Sequence, residues 1–198
     1  MYDLIEYFCP LSGEEATFYC SEVISGLIAI HAMGIVNLDI KSENILLSNA
    51  GHAMISDFDC AYELAYNAGP PKPKDYRGTW YYIAPEIASK RCIRYEADSW
   101  VVGTVMACLL TDRCRPEVLS DAELKKYAQQ GEWKVPDLQN FTAPLRTFLK
   151  SCFAILSNSA TTSAQNEKAQ DFPECQLGAN RNEEAITTIS TVRFSATN

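Results

Sequence analysis

Apolar positions first recur at helical spacing between residues 12 and 33. The repeating positions are Ala16, Tyr19, Val23, Leu27 and His31. Ser12, with Glu15 three residues later, has the capping-box pattern that opens a helix, and Gly34 follows as a residue that ends one. The pattern therefore predicts a helix over residues 12–33.

Short β-like runs come next, with turn-forming residues between them. They are GIVN at 34–37, NILLS at 44–48 and HAMISDF at 52–58. From 60 to 83 the chain is broken by proline and glycine, as in AGPPKPKDYRGT, and fits neither the helical nor the strand period. We predict a small strand cluster followed by a long loop, and a loop of that length is usually functional or disordered.

Helical patterns return after Pro85, over residues 86–90 and 96–111. The second of these helices is apolar on nearly all sides, which predicts full burial. A second capping box, Ser120 with Glu123, opens a polar helix at 121–130, and an amphipathic run covers 143–156. From 157 to 198 the chain is rich in Ser, Thr and Asn and poor in large apolar residues, so we expect a flexible tail.

Composition narrows the function classes. A chain of 198 residues with 47% hydrophobic residues has room for one domain, and a net charge of −8 argues against a nucleic-acid surface. None of the eight cysteines forms a C-x-x-C pair, which favours free thiols in a reducing compartment. The longest apolar run, VVGTVMACLL, is half the length of a membrane span, and the N-terminus lacks a signal-peptide pattern. We therefore expect an intracellular, cytoplasmic protein without a transmembrane segment.

The residues that carry chemistry lie between 37 and 59. The segment that begins at Asp39 reads D-x-K-x-x-N, with Lys41 and Asn44, and Asp57-Phe58-Asp59 follows two strand-like runs later. Phosphoryl transfer needs an acceptor for the substrate hydroxyl's proton, a cation near the phosphate and oxygen ligands for Mg²⁺. These residue types supply all three.

The same residues resemble the eukaryotic serine/threonine protein kinases, whose catalytic loop reads H-R-D-L-K-x-x-N and whose metal-binding motif is D-F-G. By position, the resemblance implies that Asp39 is the catalytic base and that Lys41 contacts the γ-phosphate of ATP. It further implies that Asn44 and Asp57 bind Mg²⁺. The expected cofactors are ATP and Mg²⁺, and the expected partners are protein substrates or docking proteins.

Two further segments match the family in order and spacing. GTWYYIAPE at 78–86 resembles the end of the kinase activation segment, in which Thr79 would contact the catalytic residues and Glu86 is the acid of A-P-E. YEADSW at 95–100 resembles the start of the large buried helix, in which Asp98 would hold the catalytic loop's backbone. Lys41 and Thr79 favour serine/threonine over tyrosine specificity.

Several positions depart from the family pattern. Asn37, Leu38 and Asp59 replace the His and Arg before the catalytic Asp and the Gly of D-F-G. Late in the lobe, where the family has an arginine that meets Glu86, this chain runs into LSNSATTS, which contains no Arg. No glycine-rich loop or V-A-I-K lysine precedes the catalytic loop. Cys60 would be a reactive thiol only if its pKa were lowered, and His31 is expected to be a packed helix-end residue.

These observations predict a mainly α fold, the C-terminal lobe of a protein kinase, in which a helical bundle surrounds a few short strands. That lobe would be the larger half of a full α+β kinase fold. We assign residues 1–156 to the lobe and 157–198 to the tail. The predicted function is serine/threonine phosphorylation, weak or absent in this chain alone because half of the nucleotide site is missing. A catalytically impaired interaction module and a truncated gene product remain open alternatives.

Overall fold

Six helices and four short strands form the framework of the residues that the computed structural model describes, which are 1–64, 66, 70–111, 120–131 and 141–154. The helices are α1 (Tyr2–Phe8), α2 (Gly13–Ala32), α3 (Pro85–Ala88), α4 (Glu96–Leu110), α5 (Asp121–Gln130) and α6 (Ala143–Ala154). The strands are β1 (Ile35–Val36), β2 (Ile45–Leu47), β3 (Ala53–Ile55) and β4 (Tyr62–Glu63). The predicted mainly α class is confirmed. The tail assigned to 157–198 lies outside the described residues.

Both capping boxes predicted from the sequence are present. The Ser12 side chain accepts a hydrogen bond from the backbone N–H of Glu15, whose carboxylate accepts one from the backbone N–H of Ser12. Ser120 and Glu123 repeat this exchange at the start of α5. Each box satisfies N–H groups that the first turn of a helix leaves without partners, so local sequence alone sets where α2 and α5 begin.

Helix α4 is the centre of the core. Every one of its residues except Glu96 and Ser99 is buried, which confirms the prediction from its apolar surface. It packs against α2 on one side and α6 on the other. A Cβ at Gly103 would lie 2.6 Å from the Cβ of Cys152 in α6, so glycine permits this close helix contact. No helix in the described residues has the length and apolar character that crossing a membrane requires.

Two antiparallel strand pairs lie beside the helices. Strands β2 and β3 form a hairpin with Leu46 opposite Met54, and β1 pairs with β4. The prediction of an irregular 60–83 segment was wrong at β4, because Tyr62 finds its partner, Val36, outside its own neighbourhood in the chain. Such pairing leaves little trace in a local residue pattern.

The hairpin places two polar segments next to each other. We name residues 37–44, which lie between β1 and β2, the Asp39 loop, and residues 56–60, which follow β3, the Asp57 turn. The backbone N–H and the hydroxyl of Ser56 both donate to the carbonyl of Asn44, at 2.8 and 2.9 Å. These two bonds tie the Asp57 turn to the end of the Asp39 loop.

Candidate active site

The carboxylate of Asp39 is the meeting point of three predicted site residues. Its Oδ2 accepts hydrogen bonds from Lys41 Nζ at 2.8 Å and from Asn44 Nδ2 at 3.1 Å. Its Oδ1 accepts one from the hydroxyl of Thr79 at 2.8 Å. Thr79 also accepts a hydrogen bond from Lys41 Nζ at 3.1 Å. The fold thus brings Thr79 against residues some forty positions earlier in the chain.

Lys41 is held in its charged form. Burial by itself lowers the pKa of Lys41, but the hydrogen bond and charge of Asp39 act against it, together with the charges of Glu43 and Asp57, and the net effect raises this pKa above its ordinary value. The ammonium group is therefore a fixed cation beside the carboxylate at neutral pH. Such a cation suits a position next to a phosphate oxygen.

Two oxygen donors are available for a hard divalent cation. Asn44 uses its amide nitrogen toward the backbone carbonyl and the carboxylate of Asp39, which leaves its Oδ1 as an acceptor. Asp57 is exposed, and its Oδ1 accepts the backbone N–H of Asp59 at 3.0 Å. An amide oxygen and a carboxylate fit Mg²⁺, which binds few protein ligands and keeps water and phosphate oxygens for the rest. The donor set therefore fits the predicted metal.

Asp98 holds the backbone at the start of the Asp39 loop. This carboxylate is fully buried, and it accepts the backbone N–H groups of Asn37 and Leu38, each at 2.9 Å. His31 Nε2 lies 2.8 Å from Asp98 Oδ2. The sequence suggested only packing for His31, and helical spacing gave no signal for a partner 67 residues away. His31 thus joins α2 to the residue that holds the loop.

Backbone strain occurs where these contacts converge. Leu38 and Asp57 both have positive φ angles, of 66° and 61°, which side-chain-bearing residues seldom adopt. Gly78 lies opposite Leu38 with a φ of 132°, and a Cβ there would approach the carbonyl oxygen of Leu38 to 2.6 Å. Gly78 is therefore required both for its conformation and for the close approach that seats Thr79.

Asp59 occupies the position at which the resemblance expects glycine. Its backbone does not take a positive φ angle, so an L-residue fits here without that strain. Its side chain is exposed, and its backbone N–H donates a hydrogen bond to the carboxylate of Asp57. Within the described part of the chain, no cluster of three or more His, Cys, Asp or Glu residues is arranged to hold a metal ion.

Cys60 does not have the activated thiol considered from the sequence. Burial raises the pKa of Cys60, and the charges of Asp39 and Asp57 raise it further, against the opposing effects of Arg77 and Lys41. A raised pKa keeps the thiol protonated and therefore a poor nucleophile at neutral pH.

Glu86 lies away from this cluster, at the start of α3, and is 8% exposed. Its Oε2 has no hydrogen-bond partner among the described residues. Burial raises the pKa of Glu86, and the charge of Glu96 adds to that effect. The hydrogen bond from the backbone N–H of Glu86 and the charges of Arg94 and Arg91 act in the opposite direction, and the net effect is a raised pKa. A buried carboxylate with one oxygen left without a hydrogen bond destabilises the fold when it ionises.

Replacing Glu86 with glutamine is expected to stabilise the protein at neutral pH, since burying a neutral amide costs less free energy than burying a carboxylate charge. The folded-state pKa lies above the unfolded value, so wild type loses stability as pH rises from about 4.5 through the raised pKa. The gain should therefore vanish near pH 4. Urea unfolding at several pH values measures it, with Glu14→Gln as the exposed control. A loss of stability at pH 7 would instead indicate a cationic partner outside the described residues.

Comparison with known families covers most of the chain. The model of the protein kinase domain family matches residues 1–172. This range includes the Asp39 loop, the Asp57 turn and the segment that carries Thr79 and Glu86. The match to one family therefore spans every residue of the candidate site.

Individual relatives carry kinase names. The chain is 33% identical over 150 residues to serine/threonine-protein kinase pakA of Talaromyces marneffei, covering 74% of this chain and 23% of that protein. It is 30% identical over 151 residues to serine/threonine-protein kinase STE20 of Saccharomyces cerevisiae, covering 74% and 16%. To the 3-phosphoinositide-dependent protein kinase 1 of Arabidopsis thaliana it is 34% identical over 119 residues, covering 56% and 24%. The chain thus spans a quarter or less of the length of these relatives.

Proposed function

The chain belongs to the protein kinase family, and we propose that it serves as the C-terminal lobe of a serine/threonine kinase that transfers the γ-phosphate of ATP to protein hydroxyl groups. The hydrogen-bonded cluster of Asp39, Lys41, Asn44 and Thr79 is the observation that carries this proposal. It combines a proton acceptor, a fixed cation and a metal-binding amide within a few ångströms.

Each side chain then has a separate task. Asp39 accepts the proton of the attacking hydroxyl as its oxygen bonds to the γ-phosphorus and the bond to the β-phosphate oxygen breaks. Lys41 holds the γ-phosphate oxygens by charge. Asn44 and Asp57 would hold Mg²⁺, which neutralises phosphate charge when it is bound. Thr79 bonds to both Asp39 and Lys41 and so fixes their positions relative to each other.

The wider setting follows from this activity. We propose protein substrates and a nucleotide as partners, and an intracellular location, since ATP is an intracellular phosphoryl donor. We also propose that the lobe comprises residues 1–156 and that 157–198 is a tail. This division rests on composition, while the family match extends to residue 172.

Thermal unfolding of the 198-residue chain with ATP tests the nucleotide and metal site. At about ten times Kd, binding stabilises the fold by about 1.4 kcal/mol and raises Tm by roughly 2–6 °C. We expect this rise only with Mg²⁺ present, and we expect Asp57→Ala to abolish it because the exposed carboxylate is the stronger metal ligand. Asp3→Ala, which removes an exposed carboxylate from α1, should leave the rise unchanged.

Transfer of labelled γ-phosphate to serine and threonine peptides completes the test. Transfer by the wild-type chain, or by a longer polypeptide from the same gene, that is lost in Asp57→Ala supports the kinase. No metal-dependent Tm rise and no transfer in either polypeptide would overturn the proposal and favour a docking module built on the same lobe.

A further inference from the structure

Positive charge is concentrated in one stretch of this acidic chain. Residues 1–40 contain six Asp and Glu residues and no Lys or Arg, whereas residues 72–94 contain six Lys and Arg residues and two acids. The six cationic side chains are all exposed, and they are Lys72, Lys74, Arg77, Lys90, Arg91 and Arg94. A protein with a net charge of −8 therefore carries a local basic surface.

The fold brings the two ends of this stretch close together. Tyr76 packs against the hydrophobic core, within the first group of cations. Burial raises the pKa of Tyr76, and the charge of Cys92, from the second group, adds to that effect, so these two side chains are near each other. We name residues 72–77, which carry Lys72, Lys74 and Arg77, the basic segment.

Arg77 is fixed beside the candidate site by hydrogen bonds to neutral groups. Its Nε donates to the backbone carbonyl of Lys74 at 3.1 Å, and its Nη1 donates to that of Asp59 at 3.3 Å. The one acid of the basic segment, Asp75, accepts the backbone N–H of Lys72 at 2.6 Å. No ion pair among the described residues includes Lys72, Lys74 or Arg77. Their charge is thus available to an external anion.

A further cation lies on the other side of Thr79. Lys125 Nζ, from α5, is 5.7 Å from the centre of the Trp80 ring, a distance at which the cation and the ring attract each other. Trp80 directly follows Thr79, whose hydroxyl donates to Asp39 at 2.8 Å. Arg77 and Lys125 therefore flank the residue that contacts the proposed base.

We propose that the basic segment and Lys125 bind acidic side chains of a protein substrate. The substrate class is then a peptide with Asp or Glu near the accepting Ser or Thr, and this inference rests on the proposed function, which places that hydroxyl at Asp39. An extended peptide rises about 3.3 Å per residue, so residues two to four positions away lie roughly 7–13 Å from the hydroxyl. Arg77 bonds to the Asp57 turn and Lys125 covers the residue after Thr79, which puts both on the path of such a peptide.

A short acidic peptide fits this surface better than nucleic acid does. A nucleic acid carries charge along its whole length and needs cations along its whole contact. The stretch from 1 to 40 offers acids and no Lys or Arg. The basic surface is therefore large enough for a few carboxylates and too limited for a long polyanion.

Peptide binding in the absence of ATP tests the inference. The probe is a fluorescent serine peptide with three Asp residues on each side of the serine, starting two positions away, and its neutral match has Asn in place of Asp. We expect the Asp peptide to bind the 198-residue chain about tenfold more tightly or better at low salt. This preference should shrink as salt screens the exposed charges.

Variants of the basic segment identify where the peptide binds. Lys72→Gln/Lys74→Gln should weaken binding of the Asp peptide about 2–25-fold, since each exposed ion pair contributes a factor of about 1.5–5. Binding of the Asn peptide should not change. Lys72→Glu/Lys74→Glu should bind a Lys version of the peptide more tightly than the Asp version. Lys150→Gln, which removes an exposed charge from α6, is the control and should bind as wild type does.

Equal affinity of wild type for the Asp and Asn peptides would overturn the inference, as would unchanged binding of the Asp peptide to Lys72→Glu/Lys74→Glu. Equally tight binding of a single-stranded oligonucleotide of the same charge would also overturn it. Phosphoryl transfer to the two peptides separates this inference from the proposed function. Equal kcat/KM for both peptides would leave the kinase and reject the substrate class. If no transfer occurs, the proposed function fails for this chain, and the binding data still decide whether the basic segment binds acidic peptides.

Discussion

Asp39→Asn is expected to slow phosphoryl transfer by about 10²–10⁴-fold, the usual contribution of a general base. Asparagine has nearly the same shape, but an amide does not accept the hydroxyl proton. In wild type, Lys41, Asn44 and Thr79 all donate hydrogen bonds to the Asp39 carboxylate. The side-chain nitrogen of asparagine is also a donor, so wherever it points it would replace an acceptor that one or two of these groups need. Positioning and chemistry are therefore lost together.

A second measurement checks the geometry when the rate is too low to quantify. Asp39 helps to raise the pKa of Lys41, so Asp39→Asn should lower that pKa in an NMR titration of the lysine. The raised folded-state pKa means that this pair stabilises the fold below the ordinary lysine pKa and that the effect is lost as pH rises through the folded value. Asp3→Asn is the charge-matched control. If Asp39→Asn retains more than about a tenth of the wild-type rate, Asp39 is not the general base.

Asp98→Ala should have the largest effect on stability, lowering the free energy of unfolding by about 2–6 kcal/mol. Two buried backbone N–H groups, of Asn37 and Leu38, lose their acceptor at a cost of about 1–3 kcal/mol each. His31 loses its partner as well. The positive φ of Leu38 is then no longer supported, so phosphoryl transfer should fall along with stability.

Urea unfolding measures this loss as a lower midpoint at an unchanged slope. Ser99→Ala, one residue further along α4, is the control and should change the free energy by less than about 0.5 kcal/mol. His31→Ala removes only one of the three contacts and should cost less than Asp98→Ala. A loss below about 1 kcal/mol for Asp98→Ala would mean that the loop keeps its conformation without this carboxylate.

Much of the fold was predictable because the signals are local. Two capping boxes, each spanning four residues, set the starts of α2 and α5. They are Ser12 with Glu15 and Ser120 with Glu123. The apolar surface of α4 predicted its burial, since a helix without a polar side must be enclosed. The β4 strand was missed because its stability depends on a partner strand and on no pattern of its own.

The candidate site divides in the same way. The sequence by itself predicted which residues carry the chemistry, because the order and spacing of Asp39, Lys41, Asn44 and Asp57 follow a family pattern. Only the tertiary structure decided which contacts hold them. Thr79 bonds to Asp39, and His31 bonds to Asp98. Asn37 bonds to the backbone of both the Asp39 loop and the Asp57 turn. It also decided that Asp59 adopts no positive φ and that Cys60 has a raised pKa. These properties depend on burial and on partners distant in the chain, which residue spacing does not encode.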